Sequence, residues 1–107
     1  MTEEDRWISV LKALADRSRL RIVRTLLDKP LTVNDISDRL GISQYNVSKH
    51  LRILREAGLV EATKMANRRE YAIPNQYRGQ EPGVPVLNMG YVVFRFTDGP
   101  ANEEAAA

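Results

Sequence analysis

Cysteine is absent from the 107-residue chain. That excludes disulfides, thiol switches and thiolate metal ligands. Histidine occurs once, at His50, too few for the multi-imidazole sites that zinc and nickel favour. Neither a metal nor a cofactor is expected. Long hydrophobic runs are missing as well: the longest uninterrupted apolar stretch, Tyr91–Phe94, is four residues, against the roughly 20 a spanning helix needs. The opening Met1-Thr2-Glu3-Glu4-Asp5 is acidic and lacks the basic-then-apolar pattern of a secretory signal, so the expected setting is the cytoplasm, with no membrane partner. No nucleophile–base pair, paired-carboxylate site or glycine-rich phosphate loop appears. An enzyme is not expected.

What is present fits one globular domain, with 43% hydrophobic and 28% charged residues and room for a single modest core. The net charge of +2 says little by itself. Its distribution says more. Between Ser43 and Arg78 stand seven basic residues (Lys49, Arg52, Arg55, Lys64, Arg68, Arg69, Arg78) against three acids, whereas from Gly79 onward one base faces four acids. Positive charge gathered in one stretch is what a phosphate-binding face requires.

Hydrophobic spacing organises the chain. A first helix is expected from about Glu3 to Ala15, capped by Thr2, with Trp7, Leu11 and Leu14 at i, i+4, i+7. Asp16 caps a second, from Arg17 to about Asp28, which ends before Pro30. Leu31 reads as one extended residue. Thr32 with Asp35 resembles a capping box opening a third helix, which stops at Gly41. Ile42 links to Ser43, the cap of a fourth helix with Val47, Leu51 and Leu54 inward. Two helices joined by so tight a turn form a helix-turn-helix.

Two short strands follow around a basic tip, Met65-Ala66-Asn67-Arg68-Arg69, and Pro74 ends the hairpin. Pro74–Pro85 reads as a Pro/Gly linker, Val86–Thr97 as one long strand ended by Asp98-Gly99-Pro100, and Ala101–Ala107 as a disordered tail. The expected fold class is α+β: a winged helix-turn-helix over residues 1–75 with an appended C-terminal β-strand at about 86–97, all one domain.

Two runs carry a family resemblance. Leu11-Lys12-Ala13-Leu14-Ala15-Asp16-Arg17-Ser18-Arg19-Leu20-Arg21-Ile22 resembles the signature of the ArsR-type transcriptional regulators, with Arg17-Ser18 where the family has Pro-Thr. Ile42–Val60, including Ser43-Gln44-Tyr45-Asn46-Val47-Ser48-Lys49-His50-Leu51 and Glu56-Ala57-Gly58-Leu59-Val60, is similar to that family's recognition helix and strand entry. The resemblance covers roughly Trp7–Ile73. It implies a regulator, expected to repress, that binds a pseudo-palindromic duplex operator as a homodimer.

The residues suit DNA apart from any family. On the outward face of the fourth helix stand Ser43, Gln44, Tyr45, Asn46, Ser48, Lys49 and Arg52, a set whose amides, hydroxyls and ammonium match base edges and phosphates in the major groove. His50 lies off that centre and is either a phosphate contact or a polar support. Lys64, Asn67, Arg68 and Arg69 form the wing's share. Arg17 and Arg19 are the members of the second helix best placed to meet the DNA backbone.

Two features depart from the family. Thr32-Val33-Asn34-Asp35 offers no thiolate where metal sensors carry cysteines on the third helix, and a Pro/Gly linker and strand replace the long C-terminal helix of the usual dimer. The dimer interface is therefore expected from Trp7, Leu11 and Leu14 together with Met89, Tyr91 and Val93, the strand pairing either with its own wing or with its partner's copy. Two rival readings stay open. One is a protein-interaction module on a winged-helix scaffold, and the other a repressor answering to a small molecule held under the C-terminal strand.

Overall fold

A computed structural model of the chain describes residues 1–97; the expected strand stop at Asp98-Gly99-Pro100 and the expected disordered tail lie outside the described residues. Four helices come first: α1 (Glu3–Leu14), α2 (Arg17–Asp28), α3 (Val33–Leu40) and α4 (Gln44–Glu56). Each begins where a side chain can satisfy the orphan backbone N–H groups of a helix start. Thr2 and Asp5 form a reciprocal capping box at 3.0 and 3.2 Å, and Thr32 and Asp35 repeat it at 3.1 and 3.2 Å. Asp16 accepts the Arg19 N–H at 3.0 Å and Ser43 that of Asn46 at 3.2 Å. Gly41 closes α3 in the left-handed region, φ 67°.

The core joins all four helices. Val10, Ala13 and Leu14 of α1 meet Ile22, Val23, Leu26 and Leu27 of α2, Ile36 of α3, and Val47, Leu51 and Leu54 of α4. This corrects the expected face of α1. Its inward stripe is centred on Val10 and Leu14, and Leu11 is left 44% exposed. Leu14, placed by sequence in the dimer interface, is 2% exposed and packed within its own chain.

The wing is an antiparallel hairpin of β1 (Glu61–Met65) and β2 (Arg68–Ala72). Its tip is only Ala66-Asn67, with Ala66 at φ 55°; Met65, Arg68 and Arg69, expected in the turn, belong to the strands. Leu31 bonds Tyr71 in both directions, at 3.0 and 2.8 Å, and so pins the α2–α3 link to the wing.

The C-terminal segment departs most from expectation. Val86–Thr97 is not one strand. It is a second hairpin, β3 (Val86–Asn88) against β4 (Val93–Arg95), reversing where Gly90 takes φ 88°. The expected pairing with the wing of the same chain is not made: the two strands pair with each other, apart from the wing sheet. The reversal makes Leu87 and Phe94 opposite partners on one face, where a continuous strand would have put them on opposite faces. Leu87 is fully buried in the common core, with Phe94, Phe96 and Met89 packed against it.

The linker is ordered too. Asn75–Tyr77 forms a single 3-10 turn, Arg78 bridges Leu87, and Gly79 donates to the Val86 carbonyl at 3.0 Å. A Cβ at Gly79 would lie 2.3 Å from a Val86 methyl, so only glycine permits this approach.

Candidate nucleic-acid interface

The core decides which face of α4 is free. With Val47, Leu51 and Leu54 turned inward, Gln44, Tyr45, Asn46, Ser48, Lys49 and Arg52 all remain exposed. The Ser37 hydroxyl donates to the Ile42 carbonyl at 2.6 Å and fixes the turn that aims α4 outward. Ser43 stands at the very start of that helix as its cap. The result is a projecting, polar helix N-terminus with one aromatic ring, Tyr45, and Lys49 Nζ 5.7 Å from its centroid.

His50 belongs to the same helix but not to the same face. Its Nδ1 lies 3.2 Å from an Arg19 guanidinium nitrogen and 4.0 Å from the Asp16 carboxylate. Arginine can only donate, so Nδ1 accepts and the ring braces α4 against the start of α2. Of the two sequence readings, polar support is the one this geometry favours. Arg19 also donates from Nε to the Ala13 carbonyl at 2.6 Å, which takes it away from the role of a DNA contact. The bond from the Arg19 N–H holds the Asp16 carboxyl below its ordinary range against a smaller opposing effect of burial, and the Arg19 charge adds to the lowering.

On the wing, Lys64 and Arg69 are direct cross-strand partners. Like charges so placed destabilise a hairpin unless something negative lies between them. Arg69 also covers the Tyr71 ring, 5.6 Å from guanidinium to centroid. Arg68 differs: it lies 3.2 Å from Glu70 and 3.9 Å from Asp35. The Thr32 backbone N–H and hydroxyl, with a lesser contribution from Arg68, keep the Asp35 carboxyl below its ordinary range. Asn67 sits exposed at the tip. Asp35 is a neighbour that sequence reasoning missed, because its capping role was legible and its approach to the wing was not.

Arg78, counted by sequence within the basic stretch, faces elsewhere. Its guanidinium donates to the Leu26 and Leu27 carbonyls at 3.4 and 2.5 Å, closing the end of α2. Among the described residues no three of His, Cys, Asp and Glu gather as metal ligands would.

On the expected dimer face, Trp7 packs on Tyr91 with ring centroids 5.2 Å apart, and Leu11, Tyr91 and Val93 stay exposed. Met89, expected there also, leans on the core.

The family model described as "Bacterial regulatory protein, arsR family" matches residues 16–62, from the cap of α2 into β1. The HTH-type transcriptional regulator CmtR of Mycobacterium tuberculosis is 36% identical over 96 residues, 90% of this chain and 79% of that protein. The transcriptional activator HlyU of Vibrio cholerae is 46% identical over 59 residues. There the match spans about half of the relative's length, 55%. Among solved structures, a homodimeric winged helix-turn-helix DNA-binding domain from Mycobacterium bovis matches with TM-score 0.65 and 33% identity, over 67% of each chain.

Proposed function

The chain belongs to the ArsR family of bacterial regulatory proteins, and from that premise we propose how this DNA-binding transcriptional regulator engages its site. It binds a pseudo-palindromic operator as a homodimer, α4 of each protomer entering the major groove and each wing lying on the flanking backbone. One observation carries this reading: the N-terminal half of α4 is capped, projects from the fold and offers base-reading side chains that nothing in the core engages. An interaction module would carry apolar anchors there instead. The protein acts by binding alone, in the cytoplasm where its DNA lies; among the described residues no helix is long and apolar enough to cross a membrane. A dimer seated over a promoter excludes polymerase without any further contact, so repression is the mode we propose.

Bases are read by Gln44, Tyr45, Asn46 and Lys49, with Ser43, Ser48 and Arg52 on adjoining backbone. Changing Gln44 or Asn46 to Ala should cost about 1–3 kcal/mol on the preferred site and blur selectivity there. Competition between selected and random DNA measures it. Equal loss on both would show that these amides do not read bases.

Lys64, Asn67, Arg68 and Arg69 act on phosphates. Replacing Arg68 and Arg69 together with Ala should weaken binding and shallow its salt dependence by roughly one to two units per protomer. Arg69 should contribute the larger part, since Arg68 must first leave Glu70 and Asp35. Affinity measured across a salt series tests this, and an unchanged slope places the wing off the DNA.

A further inference from the structure

Tyr45 is anomalous on its face. Around it the exposed half of α4 is made of Ser43, Gln44, Asn46 and Ser48, yet Tyr45 leaves 74% of its surface in water. Only Met1, at the chain terminus, is a more exposed large hydrophobic among the described residues. A hydroxyl alone does not explain it, because serine supplies one with no apolar surface to solvate. Lys49, one turn along the helix, sets its ammonium 5.7 Å from the ring centroid, an attraction that limits where the ring can swing. The ring is thus held outward rather than folded back onto the protein.

The major-groove edges of guanine, cytosine and adenine offer hydrogen-bond donors and acceptors; thymine alone adds an apolar group, its C5 methyl. We propose that Tyr45 is the thymine-reading residue of this regulator, its ring packing on that methyl while Lys49 steadies it and reaches the adjoining base or phosphate. The proposal rests on the DNA-binding reading above and adds to it one base and one chemical group.

The test starts by selecting bound fragments from a random DNA library with the full chain. Each thymine of the selected site is then replaced by deoxyuridine, which lacks only the methyl. Loss of one buried methyl corresponds to about fourfold per half-site, so changing both halves should weaken wild-type binding by about tenfold or more at one symmetry-related position. Tyr45→Ala should bind the thymine and uracil sites equally, and Tyr45→Phe should keep the discrimination. Because Tyr45 is outside the core, thermal melting of both variants should match the wild type.

Three outcomes would overturn the proposal: no position at which uracil separates wild type from Tyr45→Ala, a Phe variant that loses as much discrimination as Ala, or an Ala variant that fails to fold. Failure of the underlying reading looks different. In that case the library yields no shared sequence at all, before any thymine is replaced.

Discussion

A chain cut after Asn75 should lose its folded state rather than only its ability to pair. The cut removes Leu87, fully buried, Val86, 7% exposed, and the Phe94 and Phe96 rings packed against the core. Burying one such aliphatic side chain contributes about 1.5–3 kcal/mol. It also removes Arg78 from the end of α2. There the backbone leaves the helix in an extended conformation at Lys29, with no left-handed cap to bond the last carbonyls. Carbonyls left buried and unsatisfied cost about 1–3 kcal/mol each. Against a total stability of roughly 5–15 kcal/mol, these losses are most of what holds the domain together. The expected result in a thermal melt followed by circular dichroism is a transition lowered by more than about 15 °C, or none that is cooperative. A truncated chain melting within a few degrees of the full one would show that the second hairpin contributes nothing to the fold. The milder Leu87→Ala should cost about 2–5 kcal/mol.

Leu11→Glu should separate the protomers while leaving each one folded. Leu11 and Ile8 are 44% and 50% exposed on the flank of α1, turned away from the stripe of Val10, Ala13 and Leu14. Trp7 is one turn from Leu11 and packs its ring, tilted, against Tyr91, so α1 and the second hairpin present one apolar surface between them. We place the two-fold interface there, on Trp7, Leu11, Tyr91 and Val93. A carboxylate at position 11 of a lone protomer stays in water and costs little. Across a two-fold axis the change enters twice, each time burying a charge without a partner, a penalty of several kcal/mol per ion. Light scattering should therefore report a monomer with unchanged helix content. Operator affinity should fall by about a hundredfold or more, because the second half-site no longer gains from being tethered to the first. A Leu11→Glu protein that stays dimeric and binds at full affinity would move the interface off this face.

The helix starts show how much local chemistry fixes. Thr2 with Asp5, Asp16 with Arg19, Thr32 with Asp35 and Ser43 with Asn46 each join residues three apart, within reach as soon as a first turn forms. Gly41 closes α3 by the same short-range logic. The outward set on α4 was legible too, since Val47, Leu51 and Leu54 define its buried side by spacing alone. The second hairpin was missed although its signal was present: Gly90 interrupts the apolar alternation of Val86–Thr97, and glycine within a strand pattern marks a bend. The inward stripe of α1 was misjudged because Trp7, Leu11 and Leu14 and the pair Val10 and Leu14 satisfy helical spacing equally well.

The sequence by itself determined the order of elements from α1 through the wing, the helix caps, the helix-turn-helix and the residues α4 turns outward, because those depend on contacts a few residues apart. Only the tertiary structure decided that Arg78 closes α2 from 51 residues away and that Arg19 meets His50 across 31. It alone decided that Asp35 and Glu70 hold Arg68, and that Leu14 is taken by the core while Leu11 stays exposed. The physical reason is common to all of these. A guanidinium or an apolar flank is compatible with many neighbours, and which one it meets is set by how the helices cross and where the hairpins turn.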